Sequence, residues 1–192
     1  ASPGSTPQAI CLWGQTHKNA QEDGIPFGPG LLSQGLDPAN FIFVSAPKDI
    51  DILWAMEEGL KAGGMIAVIG EVTDPSFTAT RRLALASTQA QIPSFLIHTP
   101  TGHTNNKNRA TIKKSHQPEQ ALFNSSRQTA SAATSRWQIA ALPSTPHLWD
   151  NKAPGYRNWH LELVRHRGGR PGSFNLEWNR ETHTFNLAAA AF

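Results

Sequence analysis

Met65 to Ile69 is a run of five apolar residues set between Gly63-Gly64 and Gly70-Glu71. A stretch with no polar face predicts a strand buried on both sides, at the centre of a parallel sheet covered by helices. The flanking segments have the periods that such a sheet needs. Asp49 is a candidate N-cap for a helix whose apolar positions are Leu53, Trp54, Met56 and Leu60, with Gly63 as its stop. Asp74-Pro75 reads as the cap and first position of a second helix that reaches about Ala90. Further strands are expected at Ala9 to Trp13, Phe41 to Val44 and Ser94 to His98. Strands alternating with helices at this spacing give an α/β fold with a mostly parallel central sheet flanked by helices.

The last third has a different period. Arg136 to Leu142, Trp159 to Arg165, Phe174 to Trp178 and Thr182 to Leu187 read as strands. The middle two lie either side of Gly168-Gly169-Arg170-Pro171-Gly172, so residues 158–187 are expected to be antiparallel strands with one solvated face. The 192 residues suit one domain, 1–192, extended by this C-terminal hairpin. No run of 18 apolar residues exists, so no membrane span is expected. The first residues, Ala1-Ser2-Pro3-Gly4, have neither the basic nor the apolar part of a secretory signal. The single cysteine, Cys11, falls in a predicted strand, which excludes an internal disulfide and reads as a core residue of a cytoplasmic protein.

Between the two patterns lies a long polar segment, residues 99–131. It carries Lys107, Arg109, Lys113, Lys114 and Arg127 against one acid, Glu119. Cations mixed with the amides of Asn105, Asn106 and Asn108 suit phosphate and sugar contacts without base readout, so the five cations are the candidate DNA-binding set. A loop of this length is functional or disordered. A second cluster, Arg165, Arg167 and Arg170, surrounds the hairpin turn near Trp159 and Trp178. It is a candidate edge for a protein partner or nucleic acid. The plainer reading is charge that protects a sheet edge from aggregation. The net charge of +3 permits nucleic acid without demanding it.

Catalytic patterns are absent. There is no Gly-x-x-x-x-Gly-Lys-Ser/Thr loop to cradle phosphates, no Gly-x-Ser-x-Gly elbow and no histidine pair at helical spacing. No catalytic, cofactor-binding or metal-binding residue is assigned. Glu71 and Asp74 follow the central strand, where α/β sites form. They read either as a relic metal or partner site or as helix-capping carboxylates. Glu57 and Glu58 read as a solvated helix face, and His98 as strand-end packing.

Several blocks together resemble the ImuA family, RecA-like accessory proteins of bacterial damage-inducible mutagenesis. These are Gly28-Pro29-Gly30-Leu31, Gly35 to Ala39, Leu53-Trp54-Ala55-Met56-Glu57-Glu58, Thr78-Ala79-Thr80-Arg81-Arg82-Leu83-Ala84-Leu85-Ala86, and Leu161 through Arg167-Gly168-Gly169-Arg170-Pro171-Gly172-Ser173 to Trp178. They run from about Gly28 to Trp178, and the Thr78 and Arg167 blocks are the specific ones. The resemblance implies a RecA-like core whose phosphate-loop region would precede residue 1. It makes Met65 to Ile69 the Walker B strand, with Gly70 and Glu71 as its relic end. It implies that the expected catalytic glutamate is missing, because Gly14-Gln15-Thr16-His17 holds no acid. The implied function is a non-catalytic adaptor of SOS-induced translesion synthesis. Its implied partners are an inactive Y-family polymerase-like protein and an error-prone replicative-type polymerase, with RecA and single-stranded DNA as further candidates. Two other readings are a SulA-type cell-division inhibitor that binds a tubulin-like protein and a RecA-like ATPase whose loop has been removed.

Overall fold

The computed structural model describes residues 9–98, 131–144, 149, 153 and 155–187. It divides into two compact units, residues 1–32 with 36–132 and residues 33–35 with 133–192. The first holds β1 (Ile10–Thr16), α1 (His17–Asp23), α2 (Gly28–Leu32), β2 (Phe41–Ala46), α3 (Asp49–Ala62), β3 (Met65–Val72), α4 (Phe77–Ala90) and β4 (Ser94–His98). All four strands are parallel, in the order β2-β1-β3-β4. The apolar run is therefore an interior strand, as its composition predicts.

Side chains alternate across a strand, so each face of the sheet has its own set. Leu12, Ala46, Val68 and Val72 face Ile52, Leu53, Met56 and Leu60 of α3 and Leu83 of α4 to form the core. Ile52, Met56, Leu60, Val68 and Val72 are almost wholly buried. Burial of each stabilises the fold by about 1.5–3 kcal/mol in transfer terms. α3 lies close to the sheet because Gly14 and Gly70 sit side by side in the register beneath it. A Cβ at Gly14 would stand 2.9 Å from Ile52 Cγ2, and one at Gly70 would collide with Met56 Sδ.

The expectation of burial on both faces is corrected. On the face opposite α3, Phe43, Phe95 and Ile97 are 48%, 54% and 40% exposed. The two long helices, α3 and α4, pack against each other on one side. α1 and α2, with 7 and 5 residues, are too short to cover the other.

Both predicted caps are also corrected. α3 starts at Asp49 after Lys48, which makes no side-chain cap. Asp49 Oδ2 accepts instead from the backbone N–H groups of Thr73 (2.9 Å) and Asp74 (3.1 Å), tying the start of α3 to the end of β3. α4 begins at Phe77, where Ser76 Oγ accepts from the Ala79 N–H. Asp74 cannot be that cap because the chain does not turn helical until after Pro75. Helix α1 has no counterpart among the elements expected from sequence. Thr16 caps it by accepting from the Asn19 N–H at 3.1 Å.

The second unit holds β5 (Ser135–Leu142), β6 (Arg157–His166), β7 (Gly172–Asn179) and β8 (Thr184–Leu187), an antiparallel meander in sequence order. The predicted hairpin is its middle, and the sheet is separate from the parallel one. Its register puts Trp137, Ile139, Trp159, Leu161, Phe174 and Leu176 on one face and Gln138, His160, Glu162 and Asn175 on the other. This is the one-sided pattern read from the period-two alternation.

Candidate functional site

The chain leaves β1 toward β2 on one side and passes from β3 to β4 on the other. The crevice at the carboxyl ends of β1 and β3 is thus the switch point of the sheet, the place where open α/β folds bind ligands. Trp13, Gln15 and Glu71 project there, on the face away from α3. Gln15 and Glu71 are register partners. Trp13 Nε1–H donates to Glu71 Oε1 at 2.7 Å, and Gln15 Nε2–H donates to Glu71 Oε2 at 3.1 Å. Gln15 Nε2 also donates to the Gly24 carbonyl at 2.7 Å, which holds the segment after α1 over the sheet. That segment turns at Gly24, whose φ of +90° favours glycine.

The result is a cavity of about 300 Å³. Its floor is Trp13, Gln15 and Glu71, and its wall is Asp23 to Phe27 with Gly30 and Leu31. Beside it, Trp13 meets Phe41 at 6.5 Å between ring centroids, and Phe41 stacks on Phe43 at 5.7 Å. Glu71 is 8% exposed. A buried carboxylate needs hydrogen bonds, and here both donors are neutral. Among the described residues neither Glu71 nor Asp23 has an ion-pair partner. No group of three His, Cys, Asp or Glu residues capable of holding a metal is found among them either. Acidic groups without cations repel phosphates and attract positive groups.

The structure separates two residues that the sequence joins. Gly70 and Glu71 read together as one relic site, but they lie on opposite faces of β3. Gly70 is under α3 against Met56, while Glu71 is in the crevice. Asp74 is exposed beyond β3, and His98 is exposed at the end of β4. Glu57 is not a freely solvated acid. It pairs with Lys61 Nζ at 3.0 Å and Arg82 at 2.6 Å, and its side chain is 13% exposed. Hydrogen bonds from Lys61 and then Arg82 hold its carboxyl below the usual glutamate range. Cys11 is buried, and burial pushes its thiol up, which suits an inert core residue.

Lys107, Arg109, Lys113, Lys114 and Arg127 lie outside the described residues. Arg165, Arg167 and Arg170 are exposed at the β6–β7 end of the antiparallel sheet. There Arg165 Nη2 donates to the Ala133 carbonyl at 2.8 Å, and the Arg167 N–H donates to the Thr134 carbonyl at 2.8 Å. Sequence reasoning missed Trp13 and Gln15 as site residues. The available signal was their period-two spacing around Gly14, which puts both on one face of a strand beside the central one.

The fold and crevice define an α/β protein with a carboxylate-floored pocket at the switch point of a parallel sheet, followed in the chain by an antiparallel sheet. No protein-family model matches the chain. It is 33% identical over 159 residues to Protein ImuA of Caulobacter vibrioides, in strains NA1000/CB15N and CB 15 alike. The alignment covers 82% of this chain and 58% of those proteins. The chain belongs to the ImuA family, as the blocks between Gly28 and Trp178 implied. It spans little more than half the length of the curated relatives it matches. SulA from Pseudomonas aeruginosa is similar at 18% identity, over 49% of this chain and 74% of that one, with a TM-score of 0.39, too low to equate the two folds.

Proposed function

We propose that this chain is a non-catalytic adaptor of damage-inducible mutagenesis, a RecA-like scaffold that docks polymerase-type proteins during translesion synthesis. Membership of the ImuA family supports the process. The observation that carries the non-catalytic part is the use made of Glu71. Both its oxygens are engaged by Trp13 and Gln15, so the acid of β3 that faces the crevice serves the sheet. Phosphoryl transfer needs a metal ligand and a group that positions water. Position 70 is closed to the first by α3, and position 15 offers an amide already bonded to Glu71 and Gly24. Two acids beside the crevice, Glu71 and Asp23, also oppose a triphosphate.

A titration of the full-length protein with ATP and Mg²⁺ tests this. The expected result is no tight binding and no turnover. Tight Mg²⁺-dependent binding with hydrolysis overturns the reading in favour of an ATPase. In a second arm, the full-length protein is expected to capture the Y-family polymerase-like protein and the replicative-type polymerase from damaged cells. Failure to bind either removes the adaptor role.

A further inference from the structure

The crevice described above has a chemistry that the adaptor reading leaves unused. Its floor carries a carboxylate that is 8% exposed and bonded only to neutral donors. Asp23 stands at its mouth. Trp13 lies beside the carboxylate in that floor, and the rim is strongly apolar: Ile25 is 73% exposed and Phe27 69%. Monomeric surfaces seldom leave large apolar side chains grouped in this way unless something covers them.

We propose that this crevice is a docking site for an arginine side chain of a protein partner. The inference rests on the adaptor reading and names the chemistry of its contact. Three features select this occupant. The carboxylate, bonded only to neutral donors, calls for a cation. The indole in the floor favours a planar guanidinium, which stacks on aromatic faces while its aliphatic stem lies along apolar surface. The cavity, at about 300 Å³, is at the small end for ligand pockets and takes one side chain better than a nucleotide. The apolar rim commits the source to a protein, since Ile25 and Phe27 give a polypeptide flanking the arginine a surface to cover. A buried charged pair ringed by apolar contacts is the usual anatomy of an interface hot spot.

The test uses the full-length protein and two probes. The first is a blocked arginine amide, compared with the isosteric, uncharged citrulline amide and with Mg²⁺ alone, read by the Trp13 indole resonance. The arginine probe is expected to move that resonance, with millimolar affinity, and the other two are not. An equal response to citrulline or to Mg²⁺ overturns the proposal. The second probe is the purified polymerase-like partner. Glu71→Gln and, separately, the exposed change Asp23→Asn are each expected to weaken its binding at least about tenfold, with the loss shrinking at high salt. Asp23→Asn keeps the test open should Glu71→Gln disturb the sheet. If the partner binds wild type and Asp23→Asn alike, the crevice is not its dock while the adaptor reading stands. If it binds neither, the adaptor reading fails with it. Response to the arginine amide without any effect of either variant on the partner points to a small guanidino ligand and sinks the protein-docking claim.

Discussion

Gly70 shows how one missing side chain sets a local geometry. It lies opposite Gly14 in the register, and α3 rests on the pair through Ile52 and Met56. Gly70→Ala is expected to destabilise the protein by about 1–3 kcal/mol through overpacking, measured as a lower urea midpoint. Combining it with Met56→Ala should cost less than the sum of the two changes, because the new methyl would occupy space that methionine vacates. Strict additivity would show that this packing does not govern the approach of the helix. Glu71 is the opposite case, since its role depends on what it touches. Its place at the end of the central strand, where α/β sites form, is legible in the sequence. That Trp13 and Gln15, some 56–58 residues earlier, supply both of its hydrogen bonds is not.

At the scale of elements, α3 and α4 are joined by Glu57, which reaches Lys61 on its own helix and Arg82 on the next. Its folded pKa is lowered by those partners. Its contribution is therefore complete above the unfolded-chain value and disappears as pH falls through the lowered folded value. A Glu57→Gln variant should have a lower Tm than wild type at neutral pH, by an amount consistent with a surface-type pair of about 0.2–1 kcal/mol. The gap should close in acid, and a gap that widens there refutes the account. The strands were legible because their signal is compositional: Met65–Val72, Phe41–Ala46 and Ser94–His98 all hold the expected apolar runs. Caps were less legible. Asp49 bonds backbone N–H groups that the tertiary fold brings near, at the end of β3, whereas Ser76 is a local cap two residues beyond the expected Asp74. The helix α1 has no apolar stripe, so hydrophobic periodicity could not find it.

Over the whole molecule, the net charge is unevenly placed. All of the +3 falls within residues 133–192, where seven Lys and Arg residues stand against four Asp and Glu residues, and the remainder is neutral. If DNA is contacted directly, both basic clusters are candidates. Replacing Lys107, Arg109, Lys113 and Lys114 by Ala should weaken single-strand binding and flatten its dependence on salt, by about 0.7 in logarithmic slope for each phosphate no longer neutralised. A parallel triple change at Arg165, Arg167 and Arg170 assigns the share of the antiparallel sheet. Binding and slope unchanged in both variants would remove DNA as a partner. The fold class and the family were readable because both rest on patterns spread along the chain. The crevice was not, because it is made by the register of two strands and a turn from elsewhere.

The glycine pair beneath α3 also bears on the history open to such a protein. An acid at position 70 would lie inside the hydrophobic layer, against Met56, where a lone charge is costly. Placing a charge there requires the helix seat to be rebuilt first. Packing acts as a ratchet: having settled onto its bare strands, the helix bars that residue to any charged side chain.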